Sequence, residues 1–66
     1  MEIKQIKEIK KGEFFRVVNR AGICDKVYVR DYYERSDKKY YAYAYYDIND
    51  FRAFKPTQKV AVGFEF

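Results

Sequence analysis

The side chains able to do covalent chemistry are few. The chain holds one cysteine, Cys24, and no histidine. A nucleophilic Ser, Thr or Cys needs a base within hydrogen-bond reach, most often histidine. Cys24 stands beside Asp25, and a neighbouring carboxylate works against thiolate formation. One thiol makes no internal disulfide, and without histidine it lacks co-ligands for zinc. Asp47, Asn49 and Asp50 could supply oxygens to a hard cation, but their spacing is not that of a calcium loop. Asp47 with an acid three positions on reads instead as a helix N-cap with a capping box. Glycine-rich phosphate loops are absent. These residue types assign no catalytic group, metal ligand or cofactor site, and they point away from an enzyme and from a small-molecule substrate.

What the chain has in excess is aromatic surface, with eight tyrosines and six phenylalanines in 66 residues. Five of the tyrosines lie between Lys38 and Asp47, in the run Lys-Lys-Tyr-Tyr-Ala-Tyr-Ala-Tyr-Tyr-Asp. Alternation along a strand sends Tyr41, Tyr43 and Tyr45 to one face, and Tyr40, Ala42, Ala44 and Tyr46 to the other. Tyrosine suits an interface because it buries a large area with few rotatable bonds and keeps a polar tip. Tyr28, Tyr32, Tyr41, Tyr43 and Tyr45 are the candidates for a surface that meets a second copy, as a homodimer, or another protein partner. The alternative is single-stranded nucleic acid, with bases stacked on the same rings. Arg16, Arg30, Lys38 and Lys39 would then contact the phosphates.

Several elements must position these rings. Ile3, Ile6 and Ile9 recur at spacing three between lysines and glutamates, which predicts a short N-terminal helix or 3₁₀ turn over residues 1–11. Glu13 to Asn19 reads as the first strand, with Phe15 and Val17 on one face and Phe14, Arg16 and Val18 on the other. Asn19-Arg20-Ala21-Gly22 is turn chemistry, and Ile23 and Cys24 are expected to tuck that loop onto the core. Lys26 to Glu34 is the second strand, with Val27 and Val29 inward and Tyr28, Arg30 and Tyr32 outward. The polar Glu34–Lys38 link makes an antiparallel hairpin with the tyrosine strand. Its flanking charges guard an aggregation-prone aromatic run. Ile48, Phe51 and Phe54 at spacing three predict a helical turn closed before Pro56. Lys59 to Phe66 is the last strand, with Val60, Val62, Phe64 and Phe66 inward and Ala61, Gly63 and Glu65 outward. The expected architecture is mainly β, a four-stranded antiparallel sheet, strongly bent or a small open barrel, with short helical turns.

Length allows one domain, and a chain of this size hides only about 60% of the surface its unfolded form exposes. Large side chains or a second subunit must therefore help to stabilise it. The net charge of +4 is uneven: residues 1–30 hold eight Lys/Arg against four acids, and residues 31–66 hold six against six. No apolar signal segment opens the chain and no apolar run approaches the ~20 residues that span a bilayer. A cytoplasmic protein without a membrane partner is expected.

Five phrases cover most of the chain: Lys11-Gly12-Glu13-Phe14-Phe15, Val27-Tyr28-Val29-Arg30, Tyr33 through Tyr40, Asp47-Ile48-Asn49 and Val62-Gly63-Phe64. They resemble those of an uncharacterised family of small proteins from gut bacteria and their mobile elements. The resemblance implies a complete single-domain protein and carries no activity, ligand or site residue.

Overall fold

The structure is a computed structural model that describes residues 1–64. It is one six-stranded antiparallel sheet, ordered β1-β6-β2-β3-β4-β5. The strands are β1 (Glu2–Gln5), β2 (Phe14–Asn19), β3 (Gly22–Glu34), β4 (Lys39–Ala44), β5 (Asp47–Phe54) and β6 (Lys59–Val62). The sheet does not close, so β1 and β5 are its edges. Thirteen residues of extended chain reach about 40 Å, yet the molecule measures only 31 Å along its longest axis. β3 must therefore bend. Irregular pairing interrupts it against β2 between Arg16 and Val18, and against β4 between Arg30 and Tyr33, and such bulges kink and twist a strand.

Phe15 fills the centre of the inner face, fully shielded, with Tyr28 and Phe54 around it. The three ring centroids stand 5.7–5.8 Å apart. The fully buried residues of β4 on this face are Ala42 and Ala44, and these small residues leave room for the large rings brought by β3 and β5. Ile6, Ile9, Val60 and Val62 complete the cluster, with Val17 and Tyr40 packed against it.

The sheet is larger than the four strands expected, because each predicted helical segment contains a strand. At the N-terminus, Glu2–Gln5 pairs with β6 through Ile3↔Ala61 and Lys4↔Val60. A single 3₁₀ turn, Ile6–Glu8, follows. Ile6 and Ile9 are buried as the spacing implies, since side chains three apart superpose on a 3₁₀ turn, while Ile3 lies on the strand and is exposed. The Gln5 N–H donates to Glu8 Oε1 at 2.8 Å, closing the turn.

The second expected helical turn is β5. Phe54 pairs with Tyr40 and Phe51 with Tyr43, and the hydrogen-bond ladder along β4 outweighs a local spacing of three. Asp47 does not cap a helix: its Oδ1 accepts the Asn49 N–H at 3.0 Å in a local turn. The tyrosine strand ends earlier than expected, at Ala44, and Tyr45-Tyr46 link Ala44 to its partner Asp47.

The parity of β3 is the reverse of the expectation. Tyr28 points into the core, whereas Val27 and Val29 belong to the opposite face, where they too are buried. A ring could fill the space above the β4 alanines and a valine could not. Residues 23 and 24 are not loop but the start of β3, with Ile23 exposed. They follow a two-residue turn in which Asn19 Oδ1 accepts the Ala21 N–H and Gly22 takes φ +116°. In the last strand Val60 and Val62 are buried as expected. Phe64 lies beyond the strand, and the expected roles of Glu65 and Phe66 fall outside the described residues.

Candidate interaction face

Register places the remaining rings. Residues directly opposite on neighbouring strands share a face, and two rows cross the outer side of the sheet. One runs Phe14↔Val29↔Tyr43↔Phe51 over β2, β3, β4 and β5. The other runs Ile3↔Ala61↔Arg16↔Val27 over β1, β6, β2 and β3. Val27, Val29 and Ala61 are buried and form the floor. Ile3, Phe14 and Phe51 stand up from it, each between 41% and 52% exposed.

Tyr41, Tyr43 and Tyr45 join this face, as the parity of the tyrosine run allows. The Tyr43 ring lies 5.7 Å from Phe51, and Tyr45 meets Phe14 edge-to-face at 5.7 Å. Tyr32 arrives by a different route. Strict alternation would put it with Tyr28 and Arg30 on the inner side. One extra residue on β3 between the pairs Arg30↔Ala42 and Tyr33↔Tyr40 changes the parity. Tyr32 thereby stacks flat on Tyr41, with centroids 5.0 Å apart and planes within 5°, while Tyr33 turns to Tyr40 at 4.6 Å.

Four of the five tyrosines proposed from sequence therefore share one face. Tyr28 does not belong with them: it is a core ring, 2% exposed, and is removed from the site. Sequence reasoning missed Ile3, Phe14 and Phe51 as members. For Phe14 the signal was present, because it alternates with Phe15 in β2; Ile3 and Phe51 were hidden by reading their segments as helical.

The four cations proposed as phosphate contacts are dispersed. Arg16 lies in the outer row, its guanidinium 4.6 Å from the Phe64 ring centroid. Arg30 lies on the inner side, paired with Ala42, with its guanidinium 4.5 Å from the Tyr40 ring. Both guanidinia present a planar face to a ring and hold a buried Nε with no hydrogen-bond acceptor. Lys38 and Lys39 sit at the exposed β3–β4 turn, Lys38 with φ +53°. No single face gathers these four.

Two polar contacts frame the sheet. Lys26 Nζ donates to Asp50 Oδ2, tying β3 to the three residues 48–50 that loop out of the β4–β5 ladder. The hydrogen bond to Asp50 raises the Lys26 pKa above its ordinary range against an opposing cost of desolvation, and it holds the Asp50 carboxyl low. The Tyr41 hydroxyl donates to Asp37 Oδ2 at 3.3 Å. Desolvation first, then the Asp37 charge, pushes the Tyr41 phenol up.

Among the described residues no three His, Cys, Asp or Glu side chains are grouped to hold a metal ion, and no helix is long and apolar enough to cross a membrane. Cys24 is half-buried, its Sγ 3.4 Å from the Asn19 amide nitrogen. No protein-family model, curated protein or solved structure matches the chain.

Proposed function

We propose that this protein is a non-catalytic interaction domain that self-associates through the outer face of its sheet. The observation that carries the reading is the gathering of Phe14, Tyr32, Tyr41, Tyr43, Tyr45 and Phe51 on one face over an apolar floor, with Tyr32 and Phe51 nearly half exposed. A large ring presents about 150–250 Å². With Phe14, Tyr32, Tyr45 and Phe51 41–54% exposed and Tyr41 and Tyr43 more shielded, the six rings leave on the order of 450 Å² of aromatic surface. That matches the largest patch a typical monomer leaves open. It also equals the apolar share of a standard interface, which takes about 800 Å² from each partner.

Self-association is favoured over a foreign partner because the face is broad and the two rows that cross it carry one charge, that of Arg16. Two copies related by a two-fold axis would stack their sheets about 10 Å apart, as in a β-sandwich. A chain this small gains a second core layer by doing so. Stacking of bases on the same rings has less support, since of its four cations only Arg16 lies in the outer rows, Arg30 is on the inner side and Lys38 is at the β3–β4 turn.

Sedimentation velocity at two concentrations a hundredfold apart tests the proposal. The expected result is a shift from one to two chain masses as concentration rises, lost in Tyr43→Ser with the circular dichroism of the fold retained. A single-chain mass at millimolar protein would overturn it.

A further inference from the structure

Folding brings together a second set of side chains that neither the tyrosine face nor the expected phosphate contacts include. Arg20 on the β2–β3 turn, Lys55 on the link from β5 into β6, and Lys59 at the start of β6 line one open cleft of about 450 Å³. Val18, Asn19, Thr57 and Gln58 complete its walls. Thirty-four residues of chain lie between Arg20 and Lys55, so only the fold makes this a cluster. It also reverses the distribution along the sequence, where the charge excess belongs to the first half alone.

The cleft is cationic without compensation. No carboxylate lines it, and among the described residues none of the three cations is in an ion pair. Holding three positive charges round one cavity costs repulsion that an anion would relieve. Backbone bonds fix the walls: the Ile6 N–H donates to the Gln58 carbonyl at 2.8 Å, and the Gln58 N–H to the Lys55 carbonyl at 2.9 Å. The Gln58 amide nitrogen donates to the Val18 carbonyl at 3.1 Å and to the Lys59 carbonyl at 3.0 Å. These bonds join the β5–β6 link to β2, so the three cations are carried on braced backbone rather than on a free loop.

We infer that this cleft binds the sugar-phosphate backbone of a nucleic acid, with Arg20, Lys55 and Lys59 contacting successive phosphates and Thr57 donating its hydroxyl. The lining chooses among anions. No aromatic ring lies in the cleft to stack a base, so contacts go to phosphate and recognition is indifferent to sequence. No large apolar side chain lines it to enter a bilayer, which sets it apart from a membrane-surface site. The open form and three separate cations suit a chain of phosphates better than one isolated anion. The site does not rest on self-association, and a dimer through the tyrosine face would carry two copies of it.

The test titrates a fluorescently labelled 20-nucleotide single strand of thymidine by anisotropy at 50 and 200 mM salt. The wild-type chain is expected to bind at 50 mM and to weaken with salt. Arg20→Ala/Lys55→Ala/Lys59→Ala is expected to lose at least tenfold in affinity and to flatten the salt slope by about two, the ~0.7 per single-strand phosphate expected for three contacts. Lys55→Glu, a single exposed change, serves if the triple variant does not fold. Lys38→Ala/Lys39→Ala at the far turn is expected to keep most of the affinity. Four results would overturn the inference: no binding by the wild-type chain at 50 mM, undiminished binding by both cleft variants, competition by inorganic phosphate at equal phosphate concentration, or tighter cleft-dependent binding to phosphatidylserine vesicles than to the strand. Tyr43→Ser, which breaks only the outer face, separates failure of this site from failure of self-association.

Discussion

The inner and outer faces of this sheet are built from the same few strands and from comparable numbers of rings, yet they end in different states. On the inner face Phe15, Tyr28 and Phe54 are almost wholly shielded, because Ala42 and Ala44 give them room and Ile6 and Ile9 on the 3₁₀ turn lie over them. On the outer face Phe14, Tyr32, Tyr45 and Phe51 remain 41–54% exposed over a buried floor of Val27, Val29 and Ala61. The difference lies in the cover. A ring becomes core only where the chain supplies a second layer, and among the described residues the 3₁₀ turn lies against the inner cluster alone. The uncovered face is therefore the place to expect a partner.

Substitutions on the two faces should separate cleanly. Phe15→Ala is expected to cost about 3–5 kcal/mol. A domain of this size holds roughly 3–10 kcal/mol in all, so chemical denaturation should find Phe15→Ala largely unfolded. Tyr43→Ser on the outer face is expected to leave the single-chain fold in place while weakening association at least tenfold, about 1.4 kcal/mol. If instead Tyr43→Ser unfolded the chain at low concentration, the outer rings would be core and the contrast between faces would disappear.

A smaller effect concerns the Lys26–Asp50 contact. The folded Asp50 carboxyl titrates below its ordinary value, so its stabilisation is present above about pH 4 and lost as pH falls through the lowered pKa. Lys26 titrates above its ordinary value, so its share is present below about pH 10 and lost as pH rises through the raised one. The melting temperature of the wild-type chain should exceed that of Asp50→Asn between those limits, and the gap should narrow as pH falls below about 4. A gap that does not narrow with acid would mean that Asn disturbs the 48–50 loop itself. Smallest is Lys38→Gly. Relief of φ +53° is offset by the freer unfolded chain, and a gain of ~0.5 kcal/mol in urea unfolding is expected. It should leave association unchanged, since the turn lies off the outer face.

Much of this arrangement is legible in the sequence, and what is not has a physical cause. Alternation placed Tyr41, Tyr43 and Tyr45 together and set Phe14 against Phe15. It grouped Tyr32 with Tyr28, and Tyr32 reaches the outer face as expected only because one inserted residue reverses parity; a bulge has no signature in the alternation it breaks. Periodicity of three at Ile48, Phe51 and Phe54 suggested a helix because a spacing seen locally omits the ladder offered by β4. At β3 the choice of Val27 and Val29 over Tyr28 as core ranked residues by apolarity, whereas the space above two alanines selected by volume. The Arg20, Lys55 and Lys59 cleft was beyond reach, since it depends on which loops meet at one end of the sheet.

The most direct measurement is an isotope-filtered nuclear Overhauser experiment on an equal mixture of uniformly ¹³C-labelled and unlabelled protein at millimolar concentration. It reports contacts between copies and ignores those within one. Cross-peaks joining the rings of Tyr32, Tyr41, Tyr43 and Phe51 to their counterparts in a second chain are the predicted result. Their absence, or between-chain peaks confined to Tyr46 and Ile48 at the β4–β5 turn, would contradict the claim that the uncovered aromatic face is where the chains meet.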